Sequence, residues 1–111
     1  MKILLINPKW FETNFFGFPI GLAQIAAILE KHKHKIYVLD YDILRTKEIS
    51  FSNVPFTPDI VGIGGIITTF KSVASIIIQV RRKYNNIPVI LGGGLATTAP
   101  DWMLKETGAD I

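Results

Sequence analysis

Residues 59–70, DIVGIGGIITTF, start as a short, continuous apolar run and then pass through Gly64 and Gly65 into two threonines, Thr68 and Thr69. A run of this length without in/out alternation is the pattern of a strand buried on both faces, as in a parallel sheet. Ile3–Ile6, Ile36–Leu39 and Val89–Leu91 share it. Between the first two runs, Leu22, Ile25, Ala26 and Leu29 recur at three and four residues, which predicts an amphipathic helix with Pro19 at its first turn. After the third run, Val73, Ile76, Ile77, Val80 and Tyr84 repeat that period until Asn85, Asn86 and Pro88 stop it. After the fourth, APDWMLKETG predicts a short helix closed by Gly108.

Strand, helix, strand, helix in this order means βαβ units with right-handed crossovers, hence an α/β, doubly wound parallel sheet. The connection from Asp42 to Pro58 is expected to hold a short helical turn around Leu44–Ile49 and otherwise irregular chain. Chain length suits one domain, 1–111, with a single core. GAD followed by Ile111 reads as the opening of a truncated fifth strand, so the chain is expected to be an N-terminal piece of a longer protein. Strand four would then be an exposed edge, at which a second copy could pair to form a homodimer.

Composition excludes several classes. No apolar run approaches the ~18 residues of a membrane span. Asn7 and Pro8 interrupt the first apolar run before a secretory core could form, so a cytoplasmic protein is expected. The absence of cysteine removes thiolate catalysis and any iron–sulfur cluster held by this chain alone. Net charge is +3, but the basic clusters KHKHK (31–35) and RRK (81–83) fall at predicted helix C-termini. There they complement the helix dipole, which argues against a nucleic-acid partner.

In an open parallel sheet, ligands bind beyond the carboxyl ends of the strands. The segments there are NPKWFETNFFGFPIG, DYD, GGIITTF and GGGLATTAP. Glycine lets a ligand approach the backbone closely, and threonine hydroxyls offer hydrogen bonds or helix caps. The first strand-to-helix turn lacks the G-x-G-x-x-G of dinucleotide sites, and neither glycine loop carries a P-loop lysine. Asn7 and Gly64 stand where a phosphoacceptor domain would need acids. Asp40 and Asp42, ending strand two, read as solvated acids or as a metal or ribose site.

Taken in order, INP, PIGLAQIAAILEKHKHKIYVLDYD, PDIVGIGG and PVILGGGLATTAPDWMLKETGADI resemble the N-terminal cobalamin-binding domain of B12-dependent radical SAM enzymes. The resemblance implies a flavodoxin-like (Rossmann-like) sheet of order 2-1-3-4. It also implies a slot beside the sheet for the nucleotide tail of cobalamin, with Gly64, Gly65, Gly92 and Gly93 leaving room. Thr68, Thr69 and Thr97 would bond its phosphate, ribose or amides. The corrin would lie over Asn7, Pro8 and the aromatics Trp10, Phe11, Phe15 and Phe16. No histidine stands in the loop after strand one, so a protein imidazole below cobalt is not expected, and His34 matches a turn position before strand two. SAM and its [4Fe-4S] cluster would belong to an absent C-terminal radical SAM domain of the same longer chain. Two other readings stay open: a module that keeps the fold without cofactor and serves docking, and a nucleotide or other small-molecule binder using the same loops.

Overall fold

The structure, a computed structural model, describes residues 1–9, 18–44 and 49–111. Its elements are β1 (Lys2–Asn7), α1 (Ile20–Lys31), β2 (Lys35–Asp40), α2 (Tyr41–Leu44), β3 (Ile60–Gly64), a 3₁₀ turn (Ile67–Thr69), α3 (Phe70–Tyr84), β4 (Val89–Gly92), α4 (Gly94–Thr98) and α5 (Pro100–Thr107). The four strands form one parallel sheet in the order β2-β1-β3-β4, as expected. Among the described residues, no helix is long and apolar enough to cross a membrane.

Alternation along the strands divides the core unequally. Leu4 and Ile6, Val61 and Ile63, and Val89 and Leu91 face α3, where they meet Val73, Ile76, Ile77, Val80, Leu95 and Met103, all buried. Each such side chain contributes about 1.5–3 kcal/mol by leaving water. The opposite face carries Ile3 and Leu5 with Ala26 of α1, and only Leu22, Leu29, Ile36 and Ile60 pack around them. Of the four apolar positions predicted for α1, Ile25 is not covered: it is 49% exposed, because α1 lies over β1 and β2 and no helix among the described residues follows over β3 and β4. The outer strand β2 is likewise less buried than a two-sided strand, with Val38 half-exposed.

The turn of α1 into β2 is a Schellman closure: the His34 N–H donates to Leu29 O at 3.2 Å and the Lys33 N–H to Glu30 O at 2.8 Å. Lys33 takes the left-handed conformation at φ 64°, at a position glycine would occupy without strain. The long connection begins differently from expectation. Its helical turn, α2, starts directly at Tyr41, because the Asp40 carboxylate accepts from the N–H groups of Asp42 (3.1 Å) and Ile43 (3.4 Å) and so caps it. Part of the expected turn, residues 45–48, lies outside the described residues. Further on, the buried Ile49 donates its N–H to Gln79 Oε1 at 3.1 Å, which fastens the connection to α3.

No fifth strand is present among the described residues. Instead Asp110 and Ile111 hydrogen-bond through their N–H groups to Val89 O, and Leu91 N–H donates to Ile111 O. Two residues are too few for a ladder, yet they take up the outward N–H of Leu91 on the edge of β4. That of Val89 is taken by the Asp110 carboxylate at 2.7 Å, which also pairs with Arg81 Nη2 at 2.6 Å. The Arg81 hydrogen bond, and then that from Val89, hold the Asp110 carboxyl below its ordinary pKa. A depressed carboxyl pKa adds stability above the unfolded value, about 4, and that stability is lost as pH falls through the folded value. Thermal melts of the wild type and Asp110→Asn should therefore differ at about pH 6 and converge towards about pH 3; a gap independent of pH would contradict this role.

Candidate functional site

The uneven covering of the sheet leaves a groove of about 630 Å³ between α1 and the open half of the sheet. Its floor follows from parity. Ile3, Leu5 and Asn7 of β1, Ile60, Gly62 and Gly64 of β3, and Ile90 and Gly92 of β4 all project to this side. One wall is α1, through Gly21, Leu22, Ile25 and Leu29. From Met1 at one end to Asn7 at the other the floor runs roughly 20 Å, at about 3.3 Å per residue. Its volume falls within the range of small-molecule sites, roughly 300–1,000 Å³.

The glycines have two separate jobs. A Cβ at Gly64 or at Gly92 would meet no atom within 4 Å, so their lack of a side chain is what keeps the groove empty. Gly62, on the same face, sits tightly under Leu5, whose Cδ2 would be 2.9 Å from an added Cβ. Gly65 and Gly93 instead allow two loops to touch. The Gly65 N–H donates to Gly92 O at 3.2 Å, and the Leu95 N–H returns to Gly65 O at 3.0 Å. Gly93 has φ 82°, and a Cβ there would stand 2.7 Å from Gly65 O. The backbones after β3 and β4 thus interlock, which is why the quoted strand ends in glycine.

Six of the expected residues meet in the groove lining: Asn7, Pro8, Gly64, Gly65, Gly92 and Gly93. The three threonines are placed elsewhere. Thr69 is buried, its hydroxyl donating to Ile66 O at 2.8 Å and accepting from the Ile66 N–H at 3.0 Å. Thr97 is exposed and its hydroxyl donates back to Gly93 O at 3.1 Å, and Thr68 is exposed outside the lining. The segment holding the threonines after β4 forms α4, where a loop was expected; hydroxyls bonded four residues back hid its helical character. Trp10, Phe11, Phe15 and Phe16 lie outside the described residues. Gly62 was missed, although two glycines two apart in a strand necessarily share a face.

Charge is nearly absent from the lining: among the described residues no Lys, Arg, Asp or Glu contributes to it. Asn7, 7% exposed, donates from Nδ2 to Asp40 Oδ1 at 2.9 Å. Asp40, half-buried, therefore serves β1 and α2 together, and Asp42 is buried rather than solvated. At the amino end His34 Nδ1 lies 3.2 Å from the Met1 amino group, on the groove wall. The described residues hold no cluster of three or more His, Cys, Asp or Glu suited to a metal.

This arrangement, an apolar slot opening at the carboxyl ends of a 2-1-3-4 sheet beside two interlocked glycine loops, agrees with the comparison to known families. A family model described as B12 binding domain matches residues 11–111. The chain belongs to the B12-binding domain family. The match begins after β1, yet β1 is central in the sheet of this B12-binding domain and is one of the three strands of the groove floor. No curated protein matches the chain.

Proposed function

We propose that this chain, as one domain, is the cobalamin-binding module of a cytoplasmic radical SAM enzyme, a methyltransferase or related catalyst. The observation that carries the reading is the groove itself: Gly64 and Gly92 point into open space on an apolar floor, in a member of the B12-binding family. Those residues fit the nucleotide tail of the cofactor, a flat base on a ribose phosphate. The floor, spanning three strands, is about 10 Å wide, enough for the base but not for the corrin, which would rest on the strand ends around Asn7 and Pro8.

When bound, a corrinoid supplies a cobalt centre able to carry and transfer a methyl group. The chain's own residues would bind and orient. Asn7, fixed by Asp40, forms the rim, and the interlocked loops at Gly65 and Gly93 hold the mouth open. His32 and His34 stand at the amino end of the sheet, away from the strand ends where cobalt would sit. Cobalt's lower face would accordingly lack an imidazole from these histidines. SAM and its iron–sulfur cluster would be bound by a radical SAM domain in the same longer chain, since this one has no cysteine.

Titration of the protein with hydroxocobalamin and methylcobalamin, followed by absorbance and thermal shift, tests the reading. Saturable binding with a base-off spectrum and a raised melting temperature is expected. A folded protein that changes neither spectrum would refute it.

A further inference from the structure

We propose that the groove selects among corrinoids by the chemistry of the lower base, taking an apolar base such as dimethylbenzimidazole and discriminating against a purine such as adenine. The inference rests on the cobalamin-binding reading above and adds a specificity to it. The middle of the groove is lined by the side chains of Ile3, Leu5, Ile25, Ile60 and Ile90. Among the described residues, polar side chains stand only at its ends. Asn7 already donates to Asp40 at 2.9 Å, and His34 Nδ1 lies against the Met1 amino group at 3.2 Å. Along β1 and β3 the floor offers no backbone partners in their place, because the N–H and C=O groups of these inner strands are used by ladders on both sides.

Benzimidazole carbons and methyl groups find matching surface there. The amino group and ring nitrogens of adenine would leave water without gaining a partner, and an unpaired polar group that loses its water is penalised in full. Adenine is also the weaker ligand for cobalt, so detaching the base favours the adenine analogue. Any preference for cobalamin therefore comes from the groove.

The test is a set of absorbance titrations of the protein with hydroxocobalamin, with the adenine-base cobamide, and with cobinamide, which has no base. Cobalamin should bind tightest, with the adenine analogue weaker by roughly 10- to 100-fold, the scale on which a pocket rejects a mismatched group, and close to cobinamide. Ile90→Asn puts a polar partner on the half-exposed side of the floor, where the fold tolerates it, and should narrow the ratio. Equal affinity for the two base-bearing corrinoids, both above cobinamide, would overturn the selectivity while leaving the cobalamin reading standing. Equal affinity for all three would show that the base does not enter the groove, which overturns it as well. An unchanged ratio in Ile90→Asn overturns the assignment to the groove. Binding of none of them would refute the underlying reading.

Discussion

A leucine at position 64 is expected to abolish corrinoid binding and to leave the melting temperature within about 2 °C of the wild type. An added Cβ there meets no atom within 4 Å, and the backbone is in a conformation any residue adopts. At its Cβ the substitution therefore introduces neither clash nor strain. What it does add is an isobutyl group standing on the groove floor, where the cofactor's base would lie. Filling a slot that a flat ligand must enter leaves the ligand to rely on surface contacts alone, so a loss of at least 100-fold is expected, from about 2.7 kcal/mol or more of lost contact. Gly92→Leu, on the neighbouring strand and equally open, should behave in the same way. Absorbance titration paired with a thermal melt reads both effects. If Gly64→Leu binds cobalamin as the wild type does, the tail lies elsewhere and the proposed use of the groove fails.

Gly93→Ala should have the opposite profile, with the fold rather than the groove taking the loss. At φ 82° and ψ −168° the residue occupies a region that only glycine populates comfortably. A methyl group would also stand 2.7 Å from a backbone oxygen, that of Gly65, which has no flexible end to move aside. Strain of this kind costs on the order of 1–3 kcal/mol, and the contact adds to it. In a domain of this size that lowers the melting temperature by roughly 10 °C or more. Gly92→Ala is the control, since its added carbon meets nothing. Equal melting temperatures for the two variants would mean that the β3 and β4 loops are not locked together as described.

The contrast between these two glycines marks how far a linear reading reaches. Strands, the long helix and their order were legible because each is local: Val73, Ile76, Ile77 and Val80 declare their face by spacing alone, and all four are buried. The resemblance of the segments led to a B12-binding domain, which is the family that the family model matches. Among the expected site residues, the glycines lie in the groove lining, whereas the threonines, grouped with them because hydroxyls near glycine loops suggest ligand contacts, lie outside it. Thr69 and Thr97 spend their hydroxyls on Ile66 and Gly93, partners three and four residues away whose geometry only the folded loops define. Asp40 was read as a solvated acid or part of a metal or ribose site; what the sequence did not show is that it joins the end of β1 to the start of α2, a link across 33 residues of sequence.

By itself, then, the order of residues determined a parallel α/β sheet with glycine-bearing loops at its carboxyl ends, because period and turn chemistry act over a few residues. Tertiary structure alone decided what each glycine does. Gly92 joins Gly62 and Gly64 on one face only once β3 and β4 pair in register, and Gly65 meets Gly93 only across that pairing. It also decided that a groove exists, since α1 covers one half of its face of the sheet and the described chain leaves the other half open. A cavity is a relation among surfaces distant in sequence, and no local pattern encodes the space between them.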